Sequence, residues 1–231
     1  MTMPHVKKLL LFDIDGTLLQ AQNAGRRSLA KAYRETFGLS DAIDAMEFRG
    51  RTDPELFQEA AIRLFGRRLD DVDYARLIAA YFAILPQELE SCVFTLKPGI
   101  TDLLPKLAGL ENVVIGIQTG NLETSAYMKL KRGGIDGYFT FGGFGSDHES
   151  RTEMVRIAIQ RAVKKFGFKL DKNIFIVGDT PRDIEAGRKA EVKTIGVATG
   201  KYSIEDLTGA GADFVFKDLR NTDRILKIKY Q

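Results

Sequence analysis

Between Lys7 and Leu19 the chain reads KKLLLFDIDGTLL, an apolar run that ends on two carboxylates, Asp13 and Asp15, and a glycine, Gly16. A short continuous apolar run closed by a turn signal predicts a strand over Leu9–Phe12, covered on both faces as in a parallel sheet. The chain therefore leaves the interior at Asp13. Side-chain alternation puts Asp13 and Asp15 on one face only while the strand persists, and Gly16 marks where it turns. At about 4 Å two unit charges repel by about 4 kcal/mol at an effective dielectric of about 20, so such a strand end requires a cation.

The texture then changes. From about Asn23 to Glu90 there is no strand-like run, and apolar residues recur at helical spacing, as in Leu29, Ala32, Tyr33 and Phe37, and again from Leu56 to Phe65. Asp53-Pro54-Glu55 supplies a helix start, and Pro86 is expected to kink or end the helix it sits in. From Lys97 onward strand and helix alternate. Strands are predicted at Asn112–Thr119, Tyr138–Phe141, Asn173–Val177, Lys193–Val197 and, as an edge, Asp213–Phe216. Helices are predicted at Leu122–Arg132, Arg151–Phe166 and Pro181–Ala190, with a short one after Pro98-Gly99 whose length Pro105 limits. Gly142-Gly143-Phe144-Gly145 reads as a flexible turn. This order predicts a three-layer, Rossmann-like open parallel α/β sheet formed by residues 1–20 and 95–231, with a helical insert over 21–94.

Ligands of such sheets bind beyond the carboxyl ends of the strands. The residues that follow the three strongest strands are Asp13-Ile14-Asp15-Gly16-Thr17, Thr119-Gly120-Asn121 and Gly178-Asp179-Thr180-Pro181-Arg182-Asp183. Four carboxylates facing one crevice raise one another's pKa unless a cation joins them. Oxygen ligands without Cys or His nearby select Mg²⁺ over Zn²⁺.

Composition narrows the classes further. The 231 residues are 44% hydrophobic, enough for a packed interior, and 34 basic against 31 acidic residues leave a net charge of only +3. The basic residues are dispersed, so a nucleic-acid surface is not indicated. The single cysteine, Cys92, forms no internal disulfide and offers no metal-ligand spacing, which fits a reducing cytoplasm. Asp13 interrupts the first apolar run too early for a membrane span or a signal peptide. The composition leaves monomer and homodimer equally open.

DIDGTL at 13–18, Thr119-Gly120-Asn121 at a strand end and GDTPRDIEAGRKA at 178–190, in this order with a helical insert between the first two, resemble the haloacid dehalogenase-like superfamily of phosphohydrolases. The resemblance covers nearly the whole chain. It implies that Asp13 is the nucleophile that becomes an aspartyl phosphate and that Asp15 is general acid and then base. It implies Mg²⁺ on the Asp13 carboxylate, the Asp15 carbonyl and Asp179, with Asp183 completing the acidic shell. Thr119, Gly120 and Asn121 would hold the phosphoryl oxygens.

The family usually supplies a lysine before the fourth strand; here the best-placed cation is Arg151, with Arg156, Lys164 and Lys165 as fallbacks whose helical positions suit a surface role. His148 beside Arg151 reads as a surface residue. The insert resembles the helical cap of the subgroup that includes phosphoglycolate phosphatases and β-phosphoglucomutases. Arg49 and Arg51, flanking Gly50, would then face the leaving group.

The expected substrate is a small phosphorylated metabolite. A phosphomutase shares the nucleophile, and dehalogenation does not need the acids present here. A receiver domain would carry its acceptor Asp after a later strand. A dinucleotide-binding module would carry its Gly-rich loop after the first.

Overall fold

The structure, a computed structural model, describes residues 8–41, 43–167 and 173–228; Lys7, at the head of the opening stretch, lies outside them. Strand β1 (Lys8–Phe12) leads across a turn to a short β2 (Leu19–Ala21) and three helices, α1 (Ala24–Phe37), α2 (Asp53–Phe65) and α3 (Asp71–Ser91). Strand β3 (Phe94–Leu96) then returns antiparallel to β2. Helix α4 (Ile100–Ala108), β4 (Val113–Gln118), α5 (Glu123–Arg132), β5 (Gly142–Gly143) and α6 (Arg151–Phe166) follow. The chain continues through β6 (Ile174–Gly178), α7 (Pro181–Lys189), β7 (Lys193–Val197), α8 (Ile204–Gly209), β8 (Phe214–Phe216) and α9 (Thr222–Leu226).

Six of these strands form one parallel sheet in the order β5-β4-β1-β6-β7-β8. The chain leaves β1 for β4 on one side and later returns for β6 on the other, so the carboxyl end of β1 lies at the switch point where such sheets bind ligands. Leu10 and Phe12 pack with Leu103, Leu107, Ala126 and Leu130 of α4 and α5, whereas Leu9 and Leu11 pack with Val155, Ala158 and Ala162 of α6 and Ala186 of α7. With a helical layer on each face, every side chain of the run has apolar cover, which is why KLLLF does not alternate.

The three helices between β2 and β3 bury Leu29, Tyr33, Phe57, Leu77, Tyr81 and Leu85, in one apolar cluster with the α4–α5 face of the sheet. Each such burial contributes about 1.5–3 kcal/mol. Tyr33 donates its hydroxyl to the Phe57 carbonyl at 2.5 Å, so the phenol enters the interior satisfied. Thr52 caps α2 through a reciprocal pair with Glu55, and Pro54 occupies its first turn.

Two expectations are corrected. Tyr138–Phe141 is not a strand: a single 3₁₀ turn spans Asp136–Tyr138, and Phe139 and Phe141 are buried by packing. The strand falls instead on Gly142–Gly143, the segment read as a flexible turn. A Cβ on Gly143 would lie 1.9 Å from the Met154 carbonyl oxygen, so α6 comes close enough only over a bare backbone. Of the two outcomes expected at Pro86, the helix does not end there but runs on to Ser91. The ribbon of β2 and β3 was not anticipated, because three-residue strands carry too little pattern to read.

Candidate active site

Asp13, Thr119 and Asp179 each follow the last residue of a parallel strand, β1, β4 and β6, so the topology alone brings them to one edge. Asp183 arrives by another route. The Thr180 hydroxyl accepts from the Asp183 backbone N–H, and Asp183 Oδ2 accepts from the Thr180 N–H at 3.1 Å and hydroxyl at 2.7 Å. This capping box fixes the third residue of α7 beneath the strand ends and leaves its Oδ1 for other partners. Oxygen atoms of Asp13, Asp179 and Asp183 lie within 4.8 Å of one another, and all three residues are buried. Burial, then Asp183 and Asp15, push the Asp13 carboxyl up to about 7 against the opposing pull of Arg151. Burial, then Asp13 and Asp183, push Asp179 up to about 8. An all-oxygen cluster in which Asp13 and Asp179 hold protons this tightly fits a hard divalent cation, which would take their place.

Asp179 sits in a slot. A Cβ on Gly16, whose φ is +92°, would lie 2.3 Å from its Oδ2, and one on Gly200 would lie 1.7 Å from the same atom. Thr17 donates to Asp179 Oδ1 at 3.1 Å, and Thr199 donates to the Gly16 carbonyl at 2.6 Å. Gly200→Ala is therefore expected to displace the Asp179 carboxylate and weaken divalent-cation affinity by about 10–100-fold, the range for disturbing a ligand's support. Isothermal titration with Mg²⁺ reads this directly, and unchanged affinity would contradict the slot.

Arg151 opens α6, and its Nη2 lies 2.5 Å from Asp183 Oδ1 and 3.3 Å from Asp13 Oδ1. Burial works against its charge, but Asp183 and Asp13 outweigh burial and raise its pKa. Its Nε–H, also buried, has no partner among the described residues. The guanidinium lies along Gly120, where a Cβ would come within 3.0 Å of Nη1. Of the fallback cations, Arg156 pairs with Glu153 on the surface and Lys165 donates to the Thr140 carbonyl at 3.1 Å. Lys164 is exposed in the last turn of α6. None of the three lines the cavity. His148 is exposed and accepts from the Ser150 N–H at 2.8 Å.

Asp15 leans the other way. Its Oδ2 accepts from Lys129 Nζ at 2.5 Å and from Asn121 Nδ2 at 2.8 Å, and Asn121 Nδ2 also reaches the Thr119 hydroxyl at 2.8 Å. Sequence reasoning missed Lys129. The signal was its spacing: Ser125, Ala126, Lys129 and Leu130 form the buried stripe of α5, so this lysine lies on the inner face. Asp53, expected at a helix start, is the first residue of α2. It also receives the Leu122 N–H at 2.9 Å and the Ser125 hydroxyl at 3.0 Å, capping α5 from the neighbouring helical segment. Together with the Asp53 N–H donating to the Gly120 carbonyl at 2.8 Å, this seats α2 on the strand edge.

These groups surround a cavity of about 680 Å³ whose lining includes Asp13, Asp15, Thr119, Gly120, Asn121, Arg151 and Asp179 from the sheet side and Phe48, Arg49, Arg51, Leu56, Phe57 and Tyr81 from the helical side. Arg51 is already paired with Glu59 and lies 3.9 Å from Glu55, whereas Arg49 is exposed beside Glu47. Arg26 stacks on the Phe48 ring at 4.3 Å and donates to the carbonyls of Ile43, Asp44 and Met46, so it shapes the loop that carries them. Cys92 is half-buried and lies outside the cavity lining. Among the described residues no helix is long and apolar enough to cross a membrane.

A parallel sheet with an acidic cluster at its switch point and helices seated over it defines a hydrolase of the haloacid dehalogenase-like class. The sequence matches the family described as haloacid dehalogenase-like hydrolase over residues 10–197, and the chain belongs to it. It is 23% identical over 214 residues to the pyrophosphatase PpaX of Oceanobacillus iheyensis, covering 93% of this chain and 94% of that one. It is 28% identical over 226 residues to the phosphoglycolate phosphatase of Agrobacterium fabrum, covering 94% and 91%. The crystal structure of CbbY from Rhodobacter sphaeroides in complex with phosphate shares the fold, with a TM-score of 0.71 at 16% identity over 93% of this chain and 95% of that one.

Proposed function

We propose that this enzyme is a Mg²⁺-dependent phosphatase that hydrolyses a small phosphorylated metabolite through a phosphoryl group carried on Asp13, with residues 21–94 acting as a cap over the site. The observation that carries the reading is the division between two neighbouring carboxylates: Asp13 is buried among Arg151, Asp179 and Asp183, while Asp15 is half-exposed to the cavity and bound to Lys129 and Asn121.

An Asp13 carboxylate oxygen attacks phosphorus, and the bond from phosphorus to the leaving oxygen breaks as that oxygen takes a proton from Asp15. Water then gives a proton to Asp15 and attacks the phosphorus, which releases the Asp13 carboxylate and inorganic phosphate. Arg151, beside Asp13, together with Thr119 and the N–H groups of Gly120 and Asn121, would take the phosphoryl oxygens. Mg²⁺ would be held by Asp13, Asp179 and Asp183, with the Asp15 carbonyl, and when bound supplies positive charge that offsets repulsion between carboxylate and phosphate. A cavity of about 680 Å³ between the sheet edge and the helices suits a small metabolite. The pyrophosphatase and phosphoglycolate phosphatase relatives support a small phosphorylated substrate.

The test is hydrolysis of p-nitrophenyl phosphate and a metabolite panel with Mg²⁺ and with chelator; activity that survives chelation would contradict the reading. A sugar phosphate with a bisphosphate activator tests for phosphomutase activity in the same preparation.

The protonated carboxyls give a second expectation. Asp13 and Asp179 bind protons more tightly folded, at about 7 and 8, than at their ordinary value of 3.8. The metal-free fold therefore loses their stabilisation as pH rises from about 4 to about 8. Glu59, Glu88 and Asp213 shift downward, so their contributions are lost only at acid pH and are constant from pH 6 upward. Mg²⁺ must displace the protons of Asp13 and Asp179, so the rise in Tm that it produces is expected to be larger at pH 8 than at pH 6. An equal rise at both pH values would contradict this.

A further inference from the structure

We propose that Lys129 is a positioning residue for proton transfer: together with Asn121 it fixes one oxygen of Asp15 and leaves the other to face the leaving group. This rests on the assignment of Asp15 as general acid and base.

Both protein donors to Asp15, Lys129 Nζ at 2.5 Å and Asn121 Nδ2 at 2.8 Å, go to Oδ2, and among the described residues none goes to Oδ1. Lys129 Nζ also donates to Asn121 Oδ1 at 2.5 Å, closing a ring of three side chains. The lysine side chain is 7% exposed, whereas Asp15 is 40% exposed toward the cavity, so the buried partner holds the open one. Asp53, on the first turn of α2, and Asp13 also act on the ammonium, which keeps it charged despite burial.

The position itself argues for function. Lys129 occupies the buried stripe of α5 between Ala126 and Leu130, where an apolar residue would pack without desolvation. Buried ion pairs are often no more stable than apolar replacements of the same volume, so packing alone does not account for a lysine at this position. What the ammonium supplies is direction. A carboxyl free to rotate presents either oxygen, whereas a held one keeps Oδ1 in line with the leaving oxygen in the first step and with water in the second.

The test compares Lys129→Met with wild type on p-nitrophenyl phosphate and glycerol phosphate under Mg²⁺. Nitrophenolate departs with little need of a proton, whereas an alkoxide does not. The expected result is a loss of about 100-fold or more on glycerol phosphate, the scale of one acid–base group. With p-nitrophenyl phosphate, a burst of one nitrophenol per enzyme should precede a slowed steady rate, because the water step still needs Asp15. Lys129→Arg, which keeps the charge, should recover part of the glycerol phosphate rate. Asn121→Ala should shift the selectivity in the same direction, which keeps the idea testable if Lys129→Met does not fold. Equal losses on both substrates without a burst, or no loss, would overturn the proposal. If wild type shows no hydrolysis that Asp13→Asn removes, the parent reading fails and this one with it.

Discussion

Replacing Asp13 by asparagine is expected to lower turnover by about 10,000-fold or more, the scale on which removal of a covalent nucleophile acts, while leaving the fold at least as stable. The side chain keeps its shape but loses the anionic oxygen that attacks phosphorus. The stability half follows from the same geometry. Asp13 is buried beside Asp183 and Asp15, and its carboxyl is pushed up to about 7, so above that pH its charge opposes folding despite Arg151. A neutral amide removes that opposition, and the melting temperature of the metal-free variant at pH 8 should equal or exceed that of wild type. Activity assays paired with thermal melts check both halves. A variant that is inactive because it has melted would not support the assignment.

Arg151→Met is expected to damage both properties. The guanidinium is 10% exposed and lies against Asp13 and Asp183, whose side chains are 8% and 0% exposed. Removing one partner of a buried pair costs about 3–5 kcal/mol, because the charges left behind remain out of water. Here three clustered acids are left behind. Asp13 and Asp179 can take up protons, so the destabilisation should be largest at pH 8 and smaller at pH 6 in the absence of metal. Mg²⁺ should restore part of it. Turnover should fall by about 100–1,000-fold, the effect of removing one preorganised donor to a developing charge. Arg151→Lys should lie between, since an ammonium supplies charge but not the planar fork that spans two partners. Denaturant melts at the two pH values, with kcat measured for each variant, provide the check.

Much of this was legible in the sequence because the fold states its strands in unbroken apolar runs. The bounds of α6 and β7 match their expected ranges, Arg151–Phe166 and Lys193–Val197, and the residues following β1, β4 and β6 converge as parallel topology requires. Arg151 reaches Asp13 and Asp183, and Arg156, Lys164 and Lys165 do not. What stayed hidden was decided by neighbours distant in sequence. Gly142–Gly143 pairs with β4 while α6 lies close against its bare backbone, which no local pattern reveals. Lys129 stands in a run with Lys131 and Arg132 that reads as an ordinary basic helix end, and only the stripe of α5 separates it from them. Arg51, expected to face the leaving group, is paired with Glu59 of α2. That leaves Arg49 as the more accessible arginine of the pair lining the cavity.

The phosphoryl group carried on Asp13 can be sought directly. Wild-type enzyme mixed with Mg²⁺ and p-nitrophenyl phosphate, quenched in acid within the first turnovers and digested, should yield a peptide containing Asp13 that carries one phosphoryl group labile to hydroxylamine. The same peptide from Asp13→Asn should carry none. Steady hydrolysis with no phosphorylated peptide at any quench time, or with the group on another residue, would contradict the account.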